Sequence, residues 1–462
     1  MRLHDLLDYQ ASVRPQHDFA VYGGRRMSYA EARLESNRLA NALLASGLAP
    51  GERFAYLSRN SLDYALMYFG ASKAGLVPVP LNYRLAPPEW EYIINDAGAK
   101  LLIASAEYTS GIDGVRTSLR GVRRFVALAE SAPAGWEAYG GWLAGASTEA
   151  PQRYVREDED AYQMYTSGTT GHPKGALLTH RAVTANVMQV LTSSVLVQPG
   201  DRYLIVVPLY HAAGVISLLD TVAAGGTSVI HQDFIPAEVV RALSEDNINA
   251  CTLVPAMIQA CLVAVPDVAQ REYRSLRSIA YGASPIAEST LRAAMQTFGC
   301  GFMQAYGMTE LTAVATVLSP DDHVAALNGR PHLLTSAGRA VMGTEIRVVD
   351  EEDRPLAPGS IGEIIVRGPQ MMRGYWNLPD ESGAALRGGW MHTGDAGVMD
   401  AEGYVYIQDR VKDMIISGGE NVYPRRRAAA CCWSGWTALK ARVGPRNLRR
   451  VAEHKQVEEA YP

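Results

Sequence analysis

Residues 165–175 read Tyr165-Thr166-Ser167-Gly168-Thr169-Thr170-Gly171-His172-Pro173-Lys174-Gly175, and this stretch governs the interpretation of the whole chain. A strand-like segment, 161–165, precedes a run in which hydroxyl side chains sit among glycines and a lysine follows. Such a loop can wrap backbone N–H groups and hydroxyls around phosphate oxygens while the lysine supplies positive charge. It is not a Walker A loop, because Pro173 precedes the lysine and Gly175 follows it. The stretch therefore predicts a phosphate-binding loop.

The composition is that of a globular protein in water. The chain has 462 residues, 48% hydrophobic and 20% charged, which is enough for two or three domains. It has no apolar run of the roughly 20 residues that would cross a bilayer, and its first five residues lack a signal-peptide core. We therefore expect a cytoplasmic protein without an integral membrane segment. Five cysteines without a C-x-x-C pair predict reduced thiols rather than a zinc site.

Charge is distributed unevenly along the chain. The net charge is -5, which gives no reason to expect nucleic acid as a partner. Residues 425–462, however, carry nine Lys/Arg against three Asp/Glu, so this segment is basic while the rest is acidic. A basic tail can bind nucleic acid or membrane. A different origin for this segment, described below, explains its composition better.

Apolar periodicity predicts the fold class. A helix-period stretch at 29–46 ends near Gly47, a typical C-terminal stop. Short apolar runs between helical patterns predict parallel strands covered by helices on both faces, at 53–57, 76–80, 100–104, 202–207, 227–230, 250–254 and 278–281. After about residue 318, short β-rich runs at 345–349 and 362–367 indicate a small β-subdomain. The pattern predicts an α/β protein with two α/β units and a β-subdomain.

Further motifs follow the phosphate loop in a fixed order: Pro208-Leu209-Tyr210-His211, Tyr281-Gly282-Ala283-Ser284-Pro285, Gln304-Ala305-Tyr306-Gly307-Met308-Thr309-Glu310, Thr393-Gly394-Asp395, Asp409-Arg410-Val411-Lys412-Asp413 and Ser417-Gly418-Gly419-Glu420-Asn421. Together with the loop they resemble the adenylate-forming superfamily, which includes acyl-CoA synthetases, peptide-synthetase adenylation domains and luciferases. The resemblance extends from residue 1 to about residue 424. It implies that 1–409 is the N-terminal domain, with α/β subdomains over about 1–318 and the β-subdomain over about 319–409.

The chemistry of these residue types fits the activity that the resemblance implies. Joining a carboxylate to the α-phosphate of ATP brings two anions together, so the site must neutralise charge and align the reactants. Glu310 can ligate Mg²⁺, which prefers oxygen donors, and Thr309 can bond the α-phosphate. Tyr306 offers a ring to stack on adenine. Asp395 can accept hydrogen bonds from the ribose hydroxyls, with Arg410 supporting the same sugar.

The resemblance assigns each motif residue a role. The catalytic residues it implies are Thr166, Lys174, His211, Thr309 and Glu310, with Glu310 as the metal ligand. The nucleotide-binding residues are Thr166, Ser167, Gly168, Thr169, Thr170, Lys174, Gly282, Ala283, Ser284, Pro285, Gln304, Ala305, Tyr306, Gly307, Met308, Thr309, Asp395, Ile407 and Arg410. The expected cofactors are ATP, Mg²⁺ and coenzyme A.

The acyl pocket that the resemblance implies is uncharged. Its expected lining consists of His211, Ala212, Tyr281, Gly282, Tyr306, Met308 and Val314. No lysine or arginine lies in these segments, which argues against a second carboxylate on the substrate. A hydroxycinnamate-like aromatic acid and a medium-chain fatty acid both fit, with the aromatic acid preferred. Without the resemblance, a histidine in an apolar turn such as His211 would be interpreted as a core residue.

The chain departs from the superfamily after Tyr423-Pro424. Members carry a mobile C-terminal domain after a hinge, which corresponds to Lys412, and that domain supplies a catalytic lysine. Here the basic sequence 425–462 follows instead, without the expected glycine-lysine motif. We expect 410–462 to be a hinge and an atypical remnant, produced by an altered reading frame or a damaged gene end, with a natural short variant as the alternative. The expected consequence is good nucleotide binding with poor turnover.

The sequence thus predicts an ATP- and Mg²⁺-dependent acid–CoA ligase that works through an acyl-adenylate. The alternatives are an adenylating ligase with a different acceptor and a non-catalytic binder of nucleotide or acyl-adenylate. Ser417 to Asn421 resembles the CoA-ligase form of its motif, which favours CoA. A homodimer is compatible with the sequence, which does not fix the oligomeric state.

Overall fold

The computed structural model describes residues 1–166, 172–194, 196–284, 286–410, 415–417 and 420–422, with side chains described up to 408. The predicted site residues Ser167, Gly168, Thr169, Thr170, Pro285 and Lys412 lie outside these ranges, as does the tail 425–462. Arg410 is described by its backbone only.

Strands and helices alternate over the first 143 residues because apolar runs are separated by well-capped amphipathic segments. At the start of α2, for example, the Ser28 hydroxyl accepts from the Glu31 N–H and the Glu31 carboxylate accepts from the Ser28 N–H. The elements are α1 (Leu3–Val13), β1 (Asp18–Tyr22), β2 (Arg25–Ser28), α2 (Tyr29–Ala45), β3 (Arg53–Leu57), α3 (Leu62–Ala74), β4 (Val77–Pro80), α4 (Pro87–Ala97), β5 (Leu101–Ser105), α5 (Ala106–Asp113), β6 (Arg124–Leu128), β7 (Glu137–Ala138) and α6 (Tyr139–Leu143).

The middle of the chain repeats this alternation after an antiparallel hairpin. The elements are β8 (Asp160–Thr166), β9 (Lys174–Thr179), α7 (His180–Ser193), β10 (Arg202–Ile205), α8 (Ala212–Ala224), β11 (Thr227–Ile230), α9 (Pro236–Glu245), β12 (Ala250–Thr252), α10 (Pro255–Ala264), β13 (Ser278–Gly282), α11 (Glu288–Phe298), β14 (Gly301–Tyr306), β15 (Thr316–Leu318), α12 (Pro320–Leu327) and β16 (Arg339–Ala340). A single 3₁₀ turn, Thr309–Leu311, follows β14.

The last described part is mainly β-structure. Its elements are β17 (Glu345–Val349), β18 (Ile361–Arg367), β19 (Gly374–Tyr375), α13 (Pro379–Ala385), β20 (Met391–Met399), β21 (Val405–Arg410), β22 (Ile415–Ser417) and β23 (Glu420–Val422). The remaining 3₁₀ turns in the described residues are Arg116–Ser118, Val268–Gln270, Pro331–Thr335 and Arg387–Gly389.

Two large sheets organise the α/β part. In the described residues one has the order β4-β3-β5-β6-β7 and is parallel throughout. The other has the order β16-β15-β14-β13-β12-β10-β11-β1-β2, parallel from β1 to β14 and antiparallel at both edges. Because parallel strands end at the same edge, the segments after β13 and β14 lie side by side.

The remaining described strands form antiparallel groups. β17, β18, β20 and β21 make a sheet in that order, β22 pairs with β23, and the hairpin β8–β9 gains β19 as a third strand. The β19 pairing joins Gly374 to Leu177 and Tyr375 to Ala176. A segment inside the predicted β-subdomain range therefore belongs to the sheet that carries the predicted phosphate loop.

Apolar cores cover both faces of the large mixed sheet, as its buried runs predict. Ala280 packs in one core cluster and its neighbour Tyr281 in another, because successive side chains of a strand point to opposite faces. Cys251 and Cys261 are buried free thiols, as expected, and burial raises the pKa of Cys261 to about 12. Cys431 and Cys432 lie outside the described residues.

The predicted fold class is confirmed: α/β units are followed by a small β-sheet, and the predicted helix at 29–46 corresponds to α2. The domain boundaries at residues 318 and 409 stay predictions. Among the described residues, no helix combines the length and the hydropathy that a membrane crossing needs.

Candidate active site

The phosphate loop is held at both ends by a hairpin. Thr166 at the end of β8 pairs with Lys174 at the start of β9, so both side chains lie at the root of the loop. The Tyr92 ring stacks on His172 with centroids 5.0 Å apart, and its hydroxyl donates to the Pro173 carbonyl at 3.3 Å. The strands thus fix the position of the loop's predicted ligands Thr166 and Lys174.

Glu310 lies against this root. It sits in the 3₁₀ turn after β14, and only 5% of the residue is exposed. Its Oε1 accepts hydrogen bonds from the Thr166 hydroxyl at 3.1 Å and from the Tyr375 hydroxyl at 2.9 Å. The structure therefore brings together Thr166, Lys174 and Glu310, which lie in distant parts of the sequence.

Lys174 contacts Tyr375, the residue that also bonds Glu310. Its ammonium nitrogen lies 5.2 Å from the centroid of the Tyr375 ring, a cation–π distance. Burial and the Glu310 carboxylate raise the pKa of Tyr375, so its hydroxyl remains a protonated donor at physiological pH. One tyrosine thus contacts both a predicted phosphate-binding cation and a predicted metal ligand.

Tyr306 and Asp395 form the second pair of the site. The Tyr306 hydroxyl donates to Asp395 Oδ2 at 2.7 Å, and Asp395 is 5% exposed. The backbone before Asp395 is also held, because the Thr393 hydroxyl donates to the Ile364 carbonyl at 2.7 Å and accepts from the Asp395 N–H. In the ladder of β20 and β21, Asp395 faces Arg410. Ile407, two pairs away, is half-buried and packs on the core.

Two glycines let the neighbouring motif segments approach each other closely. A Cβ atom on Gly282 would lie 2.3 Å from the Ala305 carbonyl oxygen, and one on Gly307 would lie 2.0 Å from the Ala313 carbonyl oxygen. Ala283 has a φ of 66°, which is unfavourable for a residue with a side chain. These contacts place residues 282–284 beside 304–309 at the carboxyl edge of the sheet.

Apart from Tyr281 and Gly282, the predicted acyl-pocket residues lie on two segments, 211–212 and 306–314. His211 occupies the N-cap position of α8, before Ala212, and its ring centroid lies 5.0 Å from that of Tyr210. On the second segment, Met308 packs on the core that contains Val314. The side chain of Asn186 clamps Val314: its Oδ1 accepts from the Val314 N–H at 3.0 Å, and its Nδ2 donates to the Val314 carbonyl at 2.8 Å.

Tyr281 is not brought together with these residues. Its side chain is 1% exposed and packs in the core cluster on the other face of the strand. There its hydroxyl lies 2.9 Å from His323 Nε2. Strand alternation explains the difference, because Gly282 and Tyr281 are adjacent and must face opposite ways. In the structure, Tyr281 supports the strand that ends at Gly282.

The turn after Glu310 carries a strained residue. Thr312 has φ 66° and ψ −56°, an outlier for a β-branched side chain. It is fully buried, and its hydroxyl donates to the Gln370 carbonyl at 2.8 Å. Gln370 in turn bonds Gln189 and Thr344. This polar network holds the segment between Glu310 and Val314.

Sequence reasoning missed Tyr375 and Asn186. Each lies outside the quoted motifs, and each acts through a contact that only the fold creates. The Gly374-Tyr375-Trp376 triplet has a composition that suits a buried turn, but nothing in it points to Glu310. For Asn186 the available signal was a polar residue on the apolar side of α7, where it is fully buried.

Comparisons with known proteins agree with this site. The sequence profile of the AMP-binding enzyme family matches residues 7–376. The chain is 38% identical over 421 residues to a fatty acid–[acyl-carrier-protein] ligase, ScoC, of Streptomyces coeruleorubidus, covering 90% of this chain and 78% of the relative. It is also 38% identical over 416 residues to a feruloyl-CoA synthase of an Amycolatopsis species, covering 90% and 80% respectively.

Solved structures show the same likeness. An inhibitor-bound N-terminal domain of FACL13 from Mycobacterium tuberculosis superposes with a TM-score of 0.81 at 30% identity, covering 88% of this chain and 99% of that domain. The family profile matches most of the chain, and both relatives exceed 30% identity over most of their length. The chain therefore belongs to the AMP-binding enzyme family, within the adenylate-forming superfamily that includes the ATP-dependent, AMP-forming acid–CoA ligases.

Proposed function

We propose that this chain activates an uncharged carboxylic acid with ATP and Mg²⁺ in two steps. The acid's carboxylate oxygen attacks the α-phosphorus of ATP, forming an acyl-adenylate and releasing pyrophosphate. The thiol of CoA then attacks the acyl carbon, forming a thioester and releasing AMP. The observation that supports this most is that Glu310 accepts hydrogen bonds from Thr166 and Tyr375. The ring of Tyr375 also makes a cation–π contact with Lys174.

The nucleotide lies, in this proposal, along the carboxyl edge of the sheet. Tyr306 stacks on adenine while its hydroxyl orients the Asp395 carboxylate, which accepts hydrogen bonds from the ribose. Gly282, Ala283 and Ser284 border the base with backbone groups, because Gly282 keeps that strand close to the next one. Arg410 stands opposite Asp395 in the ladder and supports the same sugar.

Lys174 and the hydroxyl of Thr166 hold phosphate oxygens at the root of the loop. A lysine there offsets the negative charge that accumulates when two anions are brought together, and its fixed position avoids reorganisation during the reaction. Thr309, half-exposed at the end of the Tyr306 segment, donates to the α-phosphate. These residues align the acid with the phosphorus opposite the departing pyrophosphate.

The residues at this site fit Mg²⁺. The described residues contain no group of three or more His, Cys, Asp or Glu that could hold a metal without a substrate. Mg²⁺ is commonly bound through one or two carboxylates together with substrate phosphates, and Glu310 offers such a carboxylate next to a hydroxyl. When bound, the ion would neutralise phosphate charge.

For the acid, we favour a hydroxycinnamate-like aromatic acid, with a medium-chain fatty acid as the alternative. The pocket segments contribute His211, Ala212, Gly282, Tyr306, Met308 and Val314, and none of these is a lysine or an arginine. A feruloyl-CoA synthase and a fatty acid ligase are equally identical to this chain, which supports both acids.

A second acceptor is supported by a specific observation. The relative ScoC is named for transfer to an acyl-carrier protein, at the same 38% identity as the CoA-dependent relative. A carrier protein presenting a thiol is therefore the second candidate. The third is a non-catalytic binder, because residues 425–462 lack the glycine-lysine motif that supplies a lysine in the superfamily.

An acid panel assayed for AMP formation tests these proposals. Ferulate, a medium-chain fatty acid and a dicarboxylic acid are each incubated with ATP and Mg²⁺, without an acceptor, with CoA, or with a carrier protein bearing the thiol. We expect ferulate to give the most AMP and CoA to increase it, with little turnover of the dicarboxylic acid. ATP binding by calorimetry without AMP from any acid would establish the binder, and neither binding nor AMP would refute the proposed function.

A further inference from the structure

Tyr375 occupies a place in the fold that makes it a link between distant parts of the site. It lies in β19, which pairs with β9, the strand that begins at Lys174. It follows the β-subdomain strand β18 in sequence, about 200 residues after the phosphate loop. Tyr375 therefore lies next to the root of the loop in the fold, although it is far from the loop in the sequence.

The Tyr375 hydroxyl donates a hydrogen bond to one carboxylate oxygen of Glu310. Both Thr166 and Tyr375 donate to Oε1, and among the described residues Oε2 receives no hydrogen bond. Two donors on one oxygen fix the rotation of the carboxylate and leave the other oxygen for a ligand. Groups that orient metal ligands in this way typically change metal affinity by about 10–100-fold when they are removed.

Its ring acts on Lys174. The Lys174 nitrogen lies 5.2 Å from the ring centroid, so the aromatic face restricts a side chain that otherwise has many rotamers. Lys174 and Glu310 thus contact the same residue through different groups, one through the ring and one through the hydroxyl. A change in the position of Tyr375 would move both.

Tyr375 is itself held tightly. Its N–H donates to the Ser382 hydroxyl at 2.8 Å, and the next residue, Trp376, donates its N–H to the Gly175 carbonyl at 2.8 Å. The Arg53 guanidinium lies 3.5 Å from the centroid of the Trp376 ring. The segment is thus anchored on both sides, as a positioning element requires.

We propose that Tyr375 is a positioning residue that orients the Glu310 carboxylate toward the metal and couples it to Lys174. This inference depends on the proposed role of Glu310 in holding Mg²⁺. It predicts that the Tyr375 hydroxyl affects the Mg²⁺ dependence of ATP binding even before any acid is present. A tyrosine with a purely structural role would change stability instead.

Calorimetric titration of ATP at a series of Mg²⁺ concentrations tests this. Tyr375→Phe keeps the ring and removes the donor, so we expect the Mg²⁺ concentration for half-maximal ATP binding to rise about tenfold. ATP affinity without Mg²⁺ and the thermal midpoint should stay close to those of the wild type. Tyr375→Leu also removes the ring, and should weaken ATP binding without Mg²⁺ because Lys174 loses its contact.

Tyr404→Phe is the matched control. The Tyr404 hydroxyl donates to the buried Asp322 at 2.6 Å, so this variant also loses a tyrosine–carboxylate bond, but away from Glu310. It should leave the Mg²⁺ dependence unchanged. Tyr375→Phe is then combined with Glu310→Gln, and in that background it should have no further effect on Mg²⁺.

The outcomes separate this inference from the function on which it rests. If Glu310→Gln removes the Mg²⁺ effect and Tyr375→Phe leaves it at the wild-type value, the positioning role is wrong and the proposed function stands. If the wild type binds ATP equally with and without Mg²⁺, the proposed role of Glu310 as a metal ligand is wrong, and the positioning role of Tyr375 is wrong with it. Equal shifts in the Tyr375→Phe and Tyr404→Phe variants would also refute a specific role for Tyr375.

Discussion

The proposed phosphate end and the proposed acyl end of the site are built differently. At the phosphate end, Glu310 is buried and its Oε1 accepts two side-chain hydrogen bonds, so each polar atom has a defined direction. At the acyl end, small residues and backbone clamps such as Asn186 on Val314 shape the space. Polar contacts of the first kind tolerate little change, whereas an apolar wall can be reshaped by one side chain.

The largest effect should come from the phosphate end. Glu310→Gln keeps the shape but removes the charge that a magnesium nucleotide requires, so we expect kcat/KM for adenylation to fall about a hundredfold or more with every acid. Pyrophosphate release measures this loss. If the loss depended strongly on the acid, the two ends would not be independent and the comparison would be wrong.

A smaller effect on catalysis is expected from changing Asp395, which pairs with Tyr306 at the proposed nucleotide site. Asp395→Ala removes the proposed ribose acceptor and the partner of the Tyr306 hydroxyl. Hydrogen bonds to charged groups contribute about 1.5–3 kcal/mol, so the KM for ATP should rise by roughly 10–100-fold. The KM for the acid should change little. Steady-state kinetics with ATP varied at saturating acid check this, and an unchanged KM for ATP would exclude Asp395 from the ribose site.

The acyl end should respond with a change of preference. Val314→Ala enlarges the proposed wall, and one or two methylenes in an apolar pocket are worth about 1–3 kcal/mol of discrimination. We expect the ratio of kcat/KM between a bulkier and a smaller acid to shift by about tenfold, with the KM for ATP unchanged. Competition between two acids in one reaction measures the ratio. A uniform loss with all acids would instead place Val314 in a structural role.

The sequence anticipated the phosphate end better than the acyl end. Loops that hold phosphate need particular residue types close together, so Thr166 and Lys174 could be singled out before their contacts were known, and Glu310 followed from the motif at 304–310. The acyl wall depends on which face of a strand a side chain takes, and there Tyr281 was expected in the pocket but packs on the opposite face. The contacts of Tyr375 and Asn186 could not be predicted, because their partners are more than 60 residues away in the sequence.

A mildly acidic pH should have the smallest effect on the preference between acids, although it should lower the stability of the fold. Burial lowers the pKa of His4 to about 4 and that of His180 to about 3, against the ordinary value of 6.5. Unfolded histidines therefore bind protons at a pH where the folded ones do not, and stability falls as the pH drops below about 6.5. At pH 5.5 the loss is about 1.4 kcal/mol per histidine.

Urea denaturation at pH 7.5 and 5.5 measures this loss. The ratio of kcat/KM between two acids should stay the same over this range, because both histidines lie away from the pocket. His180 contacts the Leu3 N–H, and His4 contacts Ser72. Equal stability at the two pH values would contradict this expectation.

The pairing of β19 with β9 has a consequence for synthesis on the ribosome. The sheet that carries the phosphate loop gains its third strand only at Gly374 and Tyr375, and the proposed ribose acceptor follows at Asp395. A nascent chain that has folded its first α/β units therefore still lacks Tyr375, which contacts Glu310, and Asp395, the proposed ribose acceptor. Full affinity for ATP should therefore arise late in translation, so unfinished chains would retain the nucleotide less well than the complete protein.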